Sequence, residues 1–277
     1  MSDKMQNNLK MKKIFILALA ITVFACKPSA KKEEVQETAV EPVEMAKPNY
    51  PEALGKVLEK HGGMDAWKQQ RTMVFALQKP DFKEVHTIDL YSRKDRIDTE
   101  IFSMGFDGEN AWLLDTDKKY TGNAGFYHNL IFYFYAMPFV LADDGIIYGE
   151  TEDLVFEGKN YPGIEISYES GVGASSKDQY FIHYDPDTFQ MAWLGYTVTY
   201  RSGEVSDNVK WIRYNDWTTI DGLVLPNSIS WYKYEGRNLL EPANTLPFTE
   251  ATVSTSAKET SFYEKPEGAE FVEIKKN

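Results

Sequence analysis

The sequence predicts a mainly β, α+β domain in which a single curved antiparallel sheet forms an incomplete barrel around one or more internal helices, preceded by an N-terminal helix. Three observations predict this fold. Apolar and polar residues alternate over short segments from Thr72 onward. Aromatic residues make up 14% of the chain, which favours strands. One mid-chain segment, 126–141, is apolar on nearly every side, and a helix of that kind must be enclosed.

The first 25 residues have the layout of a secretory signal peptide. The basic segment Met11-Lys12-Lys13 precedes the apolar residues 14–25, and the small residue Ala25 stands before the expected cleavage site. The apolar stretch is too short to span a bilayer, which needs about 20 residues. We therefore expect residues 1–25 to be removed.

Cys26, the only cysteine in the chain, follows this segment directly. Val23-Phe24-Ala25-Cys26 resembles the lipobox of bacterial lipoproteins, which implies that the thiol carries a lipid such as palmitate and that Cys26 becomes the new N-terminus. The alternative is an ordinary secreted protein with an incidental cysteine. The resemblance implies a protein of the cell envelope that is anchored in the outer membrane. It leaves open whether the protein faces the periplasm or the cell surface.

Residues 26–49 are expected to form the lipidated cysteine and a disordered tether, because they are rich in Pro, Glu and Lys and poor in apolar residues. The folded domain is then expected to span residues 50–277. The full chain carries a formal charge of −12, which repels polyanions. We therefore expect no nucleic-acid partner. The sequence leaves the oligomeric state open.

The domain is predicted to begin with a helix from Pro51 to His61. Pro51 suits the first turn, the apolar residues recur at helical spacing, and Gly62-Gly63 ends the helix. Residues 64–70 are expected to add one or two further turns.

Period-2 alternation then predicts half-buried antiparallel strands. Ile164, Ile166 and Tyr168 share one face, and Leu194 and Tyr196 share another. Turn signals such as Asp107-Gly108, Ser202-Gly203 and Asp221-Gly222 predict hairpins between neighbouring strands.

The apolar segment Phe126 to Leu141 is predicted to be an internal helix that Pro138 kinks or ends. A curved sheet would enclose it, whereas a sandwich would need no such helix. Large apolar side chains on this helix and tryptophans on the strands could line a cavity, with plain core as the alternative. The candidate cavity residues are Phe126, Leu130, Phe134, Met137, Trp193, Trp211 and Trp231.

Several motifs occur together in this chain. They are His61-Gly-Gly-Met-Asp-Ala-Trp67, Gly105-Phe-Asp-Gly-Glu-Asn-Ala-Trp112, Tyr184-Asp-Pro-Asp-Thr188 with Trp193, and Tyr214-Asn-Asp-Trp-Thr-Thr-Ile-Asp-Gly-Leu-Val-Leu-Pro226. They resemble an uncharacterised lipoprotein family of Bacteroidetes-type bacteria and, more distantly, the LolA/LolB-type lipoprotein carriers. The resemblance covers roughly residues 50–234. It implies a half-barrel whose apolar cavity holds acyl chains, and it assigns no ligand-contacting residue here.

Signals for catalysis are weak. A Gly-x-Ser-x-Gly nucleophile elbow does not occur, and the four histidines lack the paired spacing of a zinc site on one helix. His183, Asp185 and Asp187 lie close together, but Asp-Pro-Asp also begins turns for ordinary reasons. We therefore expect no catalytic residues, no metal and no cofactor.

The expected function is non-catalytic binding of a hydrophobic ligand, namely the acyl chains of a lipid or lipoprotein, by a membrane-anchored half-barrel. Two alternatives remain open at this point. One is an envelope scaffold or accessory interaction protein with a filled core, and the other is a hydrolase that uses an acidic pair.

Overall fold

The computed structural model describes residues 49–169, 177–199 and 203–274. The predicted signal peptide, Cys26 and nearly all of the predicted tether lie outside the described residues, so these three assignments stay predictions.

Two short helices begin the domain. Helix α1 spans Glu52–Lys60 and buries Leu54, Val57 and Leu58 on one face. This burial confirms the helix predicted from the apolar spacing. Helix α2 spans Gly63–Gln69 and buries Trp67.

The turn between α1 and α2 requires glycine. Gly62 has a φ of +111°, and a Cβ atom at this position would lie 2.3 Å from the carbonyl oxygen of Gly222. His61 fixes the same junction, because its backbone oxygen accepts from the N–H of Val224 at 2.8 Å. The helices are thus attached to the start of a strand more than 160 residues later.

Seven antiparallel strands form sheet A, in the order β15-β1-β2-β3-β4-β5-β16. Their bounds are β1 Thr72–Gln78, β2 Lys83–Asp89, β3 Asp95–Asp98, β4 Ser103–Phe106, β5 Ala111–Leu114, β15 Thr249–Ser254 and β16 Glu270–Val272.

Seven further antiparallel strands form sheet B, in the order β14-β13-β12-β11-β10-β9-β6. Their bounds are β6 Ile146–Glu150, β9 Gly163–Tyr168, β10 Tyr180–Tyr184, β11 Met191–Tyr196, β12 Lys210–Ile220, β13 Leu223–Glu235 and β14 Asn238–Pro247. A separate hairpin consists of β7 Leu154–Phe156 and β8 Lys159–Tyr161.

The mainly antiparallel β fold, in sheets that are not closed into a barrel, is confirmed, but the prediction of one single sheet is wrong. The chain changes sheets at Phe248, because β14 pairs with β13 up to Pro247 whereas β15 pairs with β1 from Thr249 onward. Pro247 has no N–H to donate, and the Phe248 ring turns into the core against Phe75 at 5.6 Å. Burial of this ring at the bend gives the physical reason for the division.

The apolar segment 126–141 is helical, but it is not one helix. It contains helix α3 Ala124–Tyr127, helix α4 Leu130–Tyr135 and a 3-10 turn at Phe139–Ala142. The break between α3 and α4 coincides with His128, whose ring bonds to a carboxylate of sheet A. Pro138 directly precedes the 3-10 turn. The side-chain contact of His128 and the ring of Pro138 interrupt the single helix that was predicted from hydrophobicity alone.

Both sheets pack against this helical segment. The Tyr135 ring contacts Phe75 of sheet A at 4.4 Å, and the Phe134 ring contacts Tyr196 of sheet B at 5.4 Å. The hydroxyl of Tyr214 donates to the backbone oxygen of Phe134 at 2.8 Å. Helix α4 therefore packs against both sheets, with four of its six residues buried.

Among the described residues, no helix is long and apolar enough to cross a membrane.

Candidate ligand-binding site

Six aromatic side chains meet where helix α4 faces the ends of several strands of sheet B, and we call them the aromatic rim. They are Tyr133 and Phe134 of α4, Tyr168 of β9, Tyr180 of β10, Tyr196 of β11 and Trp231 of β13. The four strand residues come together because period-2 alternation places each of them on the inner face of sheet B.

Ring contacts connect five of the six members of the rim, and Tyr133 lies close enough to Tyr168 and Tyr180 to raise the pKa of both. The ring centroids of Tyr168 and Tyr180 are 5.8 Å apart, and those of Tyr180 and Tyr196 are 6.4 Å apart. Phe134 contacts Trp231 at 6.1 Å, and the indole N–H of Trp231 donates to the hydroxyl of Tyr196 at 3.0 Å. These are the distances of offset and edge-to-face aromatic pairs.

The rim is only half covered, whereas the side chains one step further along the same strands are enclosed. Tyr133 is 37% exposed, Tyr168, Tyr180, Tyr196 and Trp231 are half-buried, and Phe134 alone is buried. The adjacent inner-face residues are almost completely buried and aliphatic; they are Ile166, Ile182, Leu194 and Ile229. The arrangement is an aromatic opening above an apolar floor.

The rim phenols keep their protons at neutral pH. Burial, and then the neighbouring Tyr168, raises the pKa of Tyr180 well above its ordinary value. Burial also raises the pKa of Tyr168 and of Tyr196. The opening therefore presents neutral rings and hydroxyl groups that can donate, without a charge of its own.

The structure brings together only some of the seven residues predicted to line a cavity. Phe134 and Trp231 belong to the rim, while Leu130 and Met137 pack in the main core. Phe126 is half-buried on α3.

Trp193 and Trp211 lie on the opposite, outer face of sheet B. They pack with Leu154 and Tyr161 of the β7–β8 hairpin in a separate cluster, and both are fully buried. Trp211 lies over Gly195, where a Cβ atom would approach its ring to 2.8 Å. Both tryptophans are therefore separated from the aromatic rim by the sheet itself.

Sequence reasoning missed four rim tyrosines, Tyr133, Tyr168, Tyr180 and Tyr196. The alternation already placed Tyr168 and Tyr196 on apolar faces of their strands. Which strands are neighbours, and hence which tyrosines meet, depends on the sheet order.

It also missed a buried polar network between sheet A and the internal helices. The His128 ring N–H donates to Asp95 at 2.6 Å, and the His86 ring N–H donates to Glu84 at 3.3 Å. The hydroxyl of Tyr127 donates to the same Glu84 carboxylate at 2.8 Å. All four of the histidine and carboxylate side chains are at least 95% buried.

Burial is the largest single influence on the pKa of Asp95, Glu84 and His86. It raises the pKa of Asp95, against the opposing effect of His128. Burial alone would also raise the pKa of Glu84, but His86, Lys79 and Tyr127 lower it overall. Burial lowers the pKa of His86. Because these groups are enclosed, we interpret the network as an attachment of the internal helices to sheet A.

The other two histidines have backbone partners. His61 Nδ1 contacts the oxygen of Val224 at 2.9 Å and His183 Nδ1 contacts that of Tyr161 at 3.0 Å. Burial lowers the pKa of each to about 4, so both rings are neutral at pH 7.

The Asp-Pro-Asp segment forms a turn. Asp185 accepts from the backbone N–H of Asp187 at 2.9 Å and from the ammonium of Lys159 at 2.6 Å. Within residues 49–169, 177–199 and 203–274, no three His, Cys, Asp or Glu side chains are grouped so as to hold a metal ion.

Comparison with known proteins gives weak similarities. The model of a family of unknown function, DUF6503, matches residues 109–243, slightly less than half of the chain. The sequence matches no curated protein significantly.

Three solved structures are similar at 10% sequence identity. A LolA-superfamily protein from Nitrosomonas europaea has a TM-score of 0.46, with 76% of this chain and 96% of that chain covered. An outer-membrane lipoprotein-sorting protein domain from Vibrio parahaemolyticus has a TM-score of 0.42, with 76% and 97% covered. A DUF1329 family protein from Desulfovibrio piger has a TM-score of 0.44, with 77% and 96% covered.

Proposed function

We propose that the aromatic rim and the apolar floor beneath it bind an acyl chain of a lipid or lipoprotein, without covalent chemistry. The observation that supports this proposal is the incomplete burial of a row of aromatic rings that the fold holds above enclosed aliphatic side chains. Apolar surface that remains partly accessible and contiguous is typical of ligand or partner sites. Each methylene buried there would contribute roughly 0.8 kcal/mol, so micromolar binding, about 8.2 kcal/mol, needs at least about ten buried methylenes.

The neutral character of the rim favours an uncharged ligand segment. A carboxylate or phosphate placed among rings with raised phenol pKa values would lose its hydration and gain only hydroxyl donors. An acyl chain loses no such hydration. The polar end of the ligand would therefore remain outside the floor.

The fluorescent fatty acid cis-parinaric acid tests this site. We expect it to bind the purified protein and Trp231→Leu to weaken binding about ten-fold, because the variant removes a ring of the rim and its bond to Tyr196. Tyr232→Leu is the matched control, since the next residue on the same strand faces the outer cluster against Trp193. Equal affinities in the two variants, or no binding by the unaltered protein, would refute the proposal.

We further propose that Cys26 carries the lipid that holds this domain at a membrane of the cell envelope. The proposal depends on the lipobox-like residues 23–26 and on the absence of any other cysteine from the sequence. The domain would then act close to a source of acyl chains.

Metabolic labelling tests the anchor. We expect the protein expressed in a Gram-negative bacterium to incorporate labelled palmitate and to sediment with membranes, and Cys26→Ser to abolish both. Unlabelled protein that nevertheless sediments with membranes would contradict lipidation at Cys26.

A further inference from the structure

Strand β6 forms one of the four outer edges of the two seven-stranded sheets. It pairs with β9 without a bulge, from Ile146 opposite Tyr168 to Glu150 opposite Ile164. Apart from this pairing, no backbone group of β6 is hydrogen-bonded within residues 49–169, 177–199 and 203–274. The side of β6 that faces away from β9 is therefore an unpaired strand edge.

The register shows which backbone groups this edge offers. The N–H of Glu169, which follows β9, donates to the oxygen of Gly145 at 3.0 Å, so Gly145 bonds toward β9. In an antiparallel strand, successive residues bond alternately to one side and to the other. The N–H and C=O groups of Ile146, Tyr148 and Glu150 consequently point away from β9. Each of these residues offers one donor and one acceptor to a further strand.

The other three sheet edges carry features that obstruct strand addition. Strand β14 contains Pro242 and ends at Pro247. Strand β15 pairs irregularly with β1 where Glu250 has a φ of +53°. Strand β16 is only three residues long. Prolines, bulges and short strands are the means by which proteins prevent edge-to-edge pairing. Among the described edge strands, β6 alone has no proline, no bulge and no charged residue before its last position.

The centre of β6 is apolar and accessible. Ile147 is 50% exposed on the outer face of sheet B, and Gly149, the next residue on that face, has no side chain that would hinder a neighbouring strand. On the inner face, the hydroxyl of Tyr148 donates to the backbone oxygen of Leu141 at 2.8 Å, which holds the strand in place. Because apolar cross-strand pairs stabilise sheets, a partner strand would gain from an apolar residue beside Ile147.

Both ends of β6 are acidic. Asp144 lies two residues before the strand, and Glu150 is its last residue. Both are exposed, and neither forms an ion pair in the described part of the chain. A second copy of β6, added antiparallel, would bring its own acidic ends close to these carboxylates, which is unfavourable. Lysine or arginine at the ends of a different strand would instead pair with them.

We propose that the free edge of β6 binds an extended segment of a partner protein, which adds to sheet B as a further strand. Backbone hydrogen bonds hold the segment, an apolar residue covers Ile147, and basic residues at its two ends face Asp144 and Glu150. Strand addition of this kind obtains its affinity from the main chain and its specificity from alternate side chains. The inference does not depend on acyl-chain binding at the aromatic rim.

A fluorescent peptide with an alternating valine–threonine centre and lysines at both ends tests the proposal on the purified protein. One matched peptide has glutamates in place of the lysines, and another has its central amides N-methylated. We expect the unmethylated lysine peptide to bind at least about ten-fold more tightly than either, because one loses the charge pairing and the other loses the backbone hydrogen bonds.

Two protein variants separate the backbone contribution from the charge. Glu150→Pro removes an outward N–H, and proline is tolerated on a strand edge where the N–H has no partner. Glu150→Gln is the matched control, since it loses the same charge and keeps the N–H. We expect the lysine peptide to bind Glu150→Pro about five-fold more weakly than Glu150→Gln. Thermal unfolding of both variants would check that they fold alike.

Amide hydrogen exchange of the unaltered protein locates the bound peptide without any substitution. We expect the peptide to slow exchange at Ile146 and Tyr148, whose N–H groups point outward. The N–H groups of Ile147 and Gly149 already bond toward β9, so their exchange should change much less.

Several results would overturn the proposal. One is the absence of peptide binding, and another is equal binding of the lysine peptide and its N-methylated form, which would indicate only attraction to an acidic surface. Unchanged exchange at Ile146 and Tyr148 in the presence of bound peptide would also exclude strand addition at this edge. A dimer of the unaltered protein that Glu150→Pro dissociates would assign the edge to a second copy instead.

Discussion

Replacement of His128 by leucine is expected to lower the free energy of unfolding at pH 7 by about 3–5 kcal/mol, the usual cost of leaving a buried charge without its partner. Asp95 is 2% exposed and its Oδ2 atom bonds only to His128, while Oδ1 has no partner in the described part of the chain. The variant therefore leaves a carboxylate in an apolar environment. Urea unfolding followed by tryptophan fluorescence would measure the loss.

The pH dependence of this loss has a definite sign. Burial raises the pKa of Asp95 above its value in the unfolded chain, and loss of His128 would raise it further. The folded variant then binds a proton at a pH where the unfolded chain does not, so its stability falls as the pH rises. We expect the difference from the unaltered protein to be smaller near pH 5 than at pH 7.

The double variant His128→Leu, Asp95→Ala is the matched control. Because it removes the carboxylate as well, it should recover most of the stability lost in the single variant. A single-variant loss below about 1 kcal/mol, or a double variant that is less stable than the single one, would show that the pair does not attach the internal helices as described.

Replacement of Trp211 by alanine is expected to lower the free energy of unfolding by about 3–5 kcal/mol and to leave ligand binding by the folded protein unchanged. Its ring is fully buried over Gly195, and its N–H donates to the backbone oxygen of Gly236 at 3.1 Å. The guanidinium of Arg237 lies 5.3 Å from the ring. Alanine leaves a cavity and an unpaired carbonyl on the outer face of sheet B.

Trp231→Leu should have the opposite profile, since Trp231 is half-buried on the inner face. We expect a smaller stability loss together with weaker binding of cis-parinaric acid. Thermal unfolding and probe titration of both variants would give the two quantities. A Trp211→Ala protein that folds but no longer binds the probe would place the site on the outer face instead.

Trp211 and Trp231 also show how much of the site could be predicted from the sequence. Both lie on predicted strands, and composition gave no reason to separate them. Their roles differ because β12 and β13 each have two faces, and the β7–β8 hairpin covers only one of them. Side-chain alternation assigns a residue to a face, but it does not say what covers that face.

The aromatic segment 126–141 likewise shows what the sequence can predict and what it cannot. Its apolar circumference predicted an enclosed segment, and four of the six residues of α4 are buried while Tyr133 is exposed. The interruption at His128 could not be predicted, because it depends on a carboxylate 33 residues earlier in the chain.

The sequence alone determined the N-terminal helix, the antiparallel strands and the enclosed aromatic segment, because each follows from a local pattern of apolar residues along the chain. Tertiary structure alone decided the division into two sheets at Phe248, the meeting of the rim tyrosines and the buried pair of His128 and Asp95. Each of these joins residues that are distant in sequence, and their proximity is set by strand order and packing, which local periodicity does not encode.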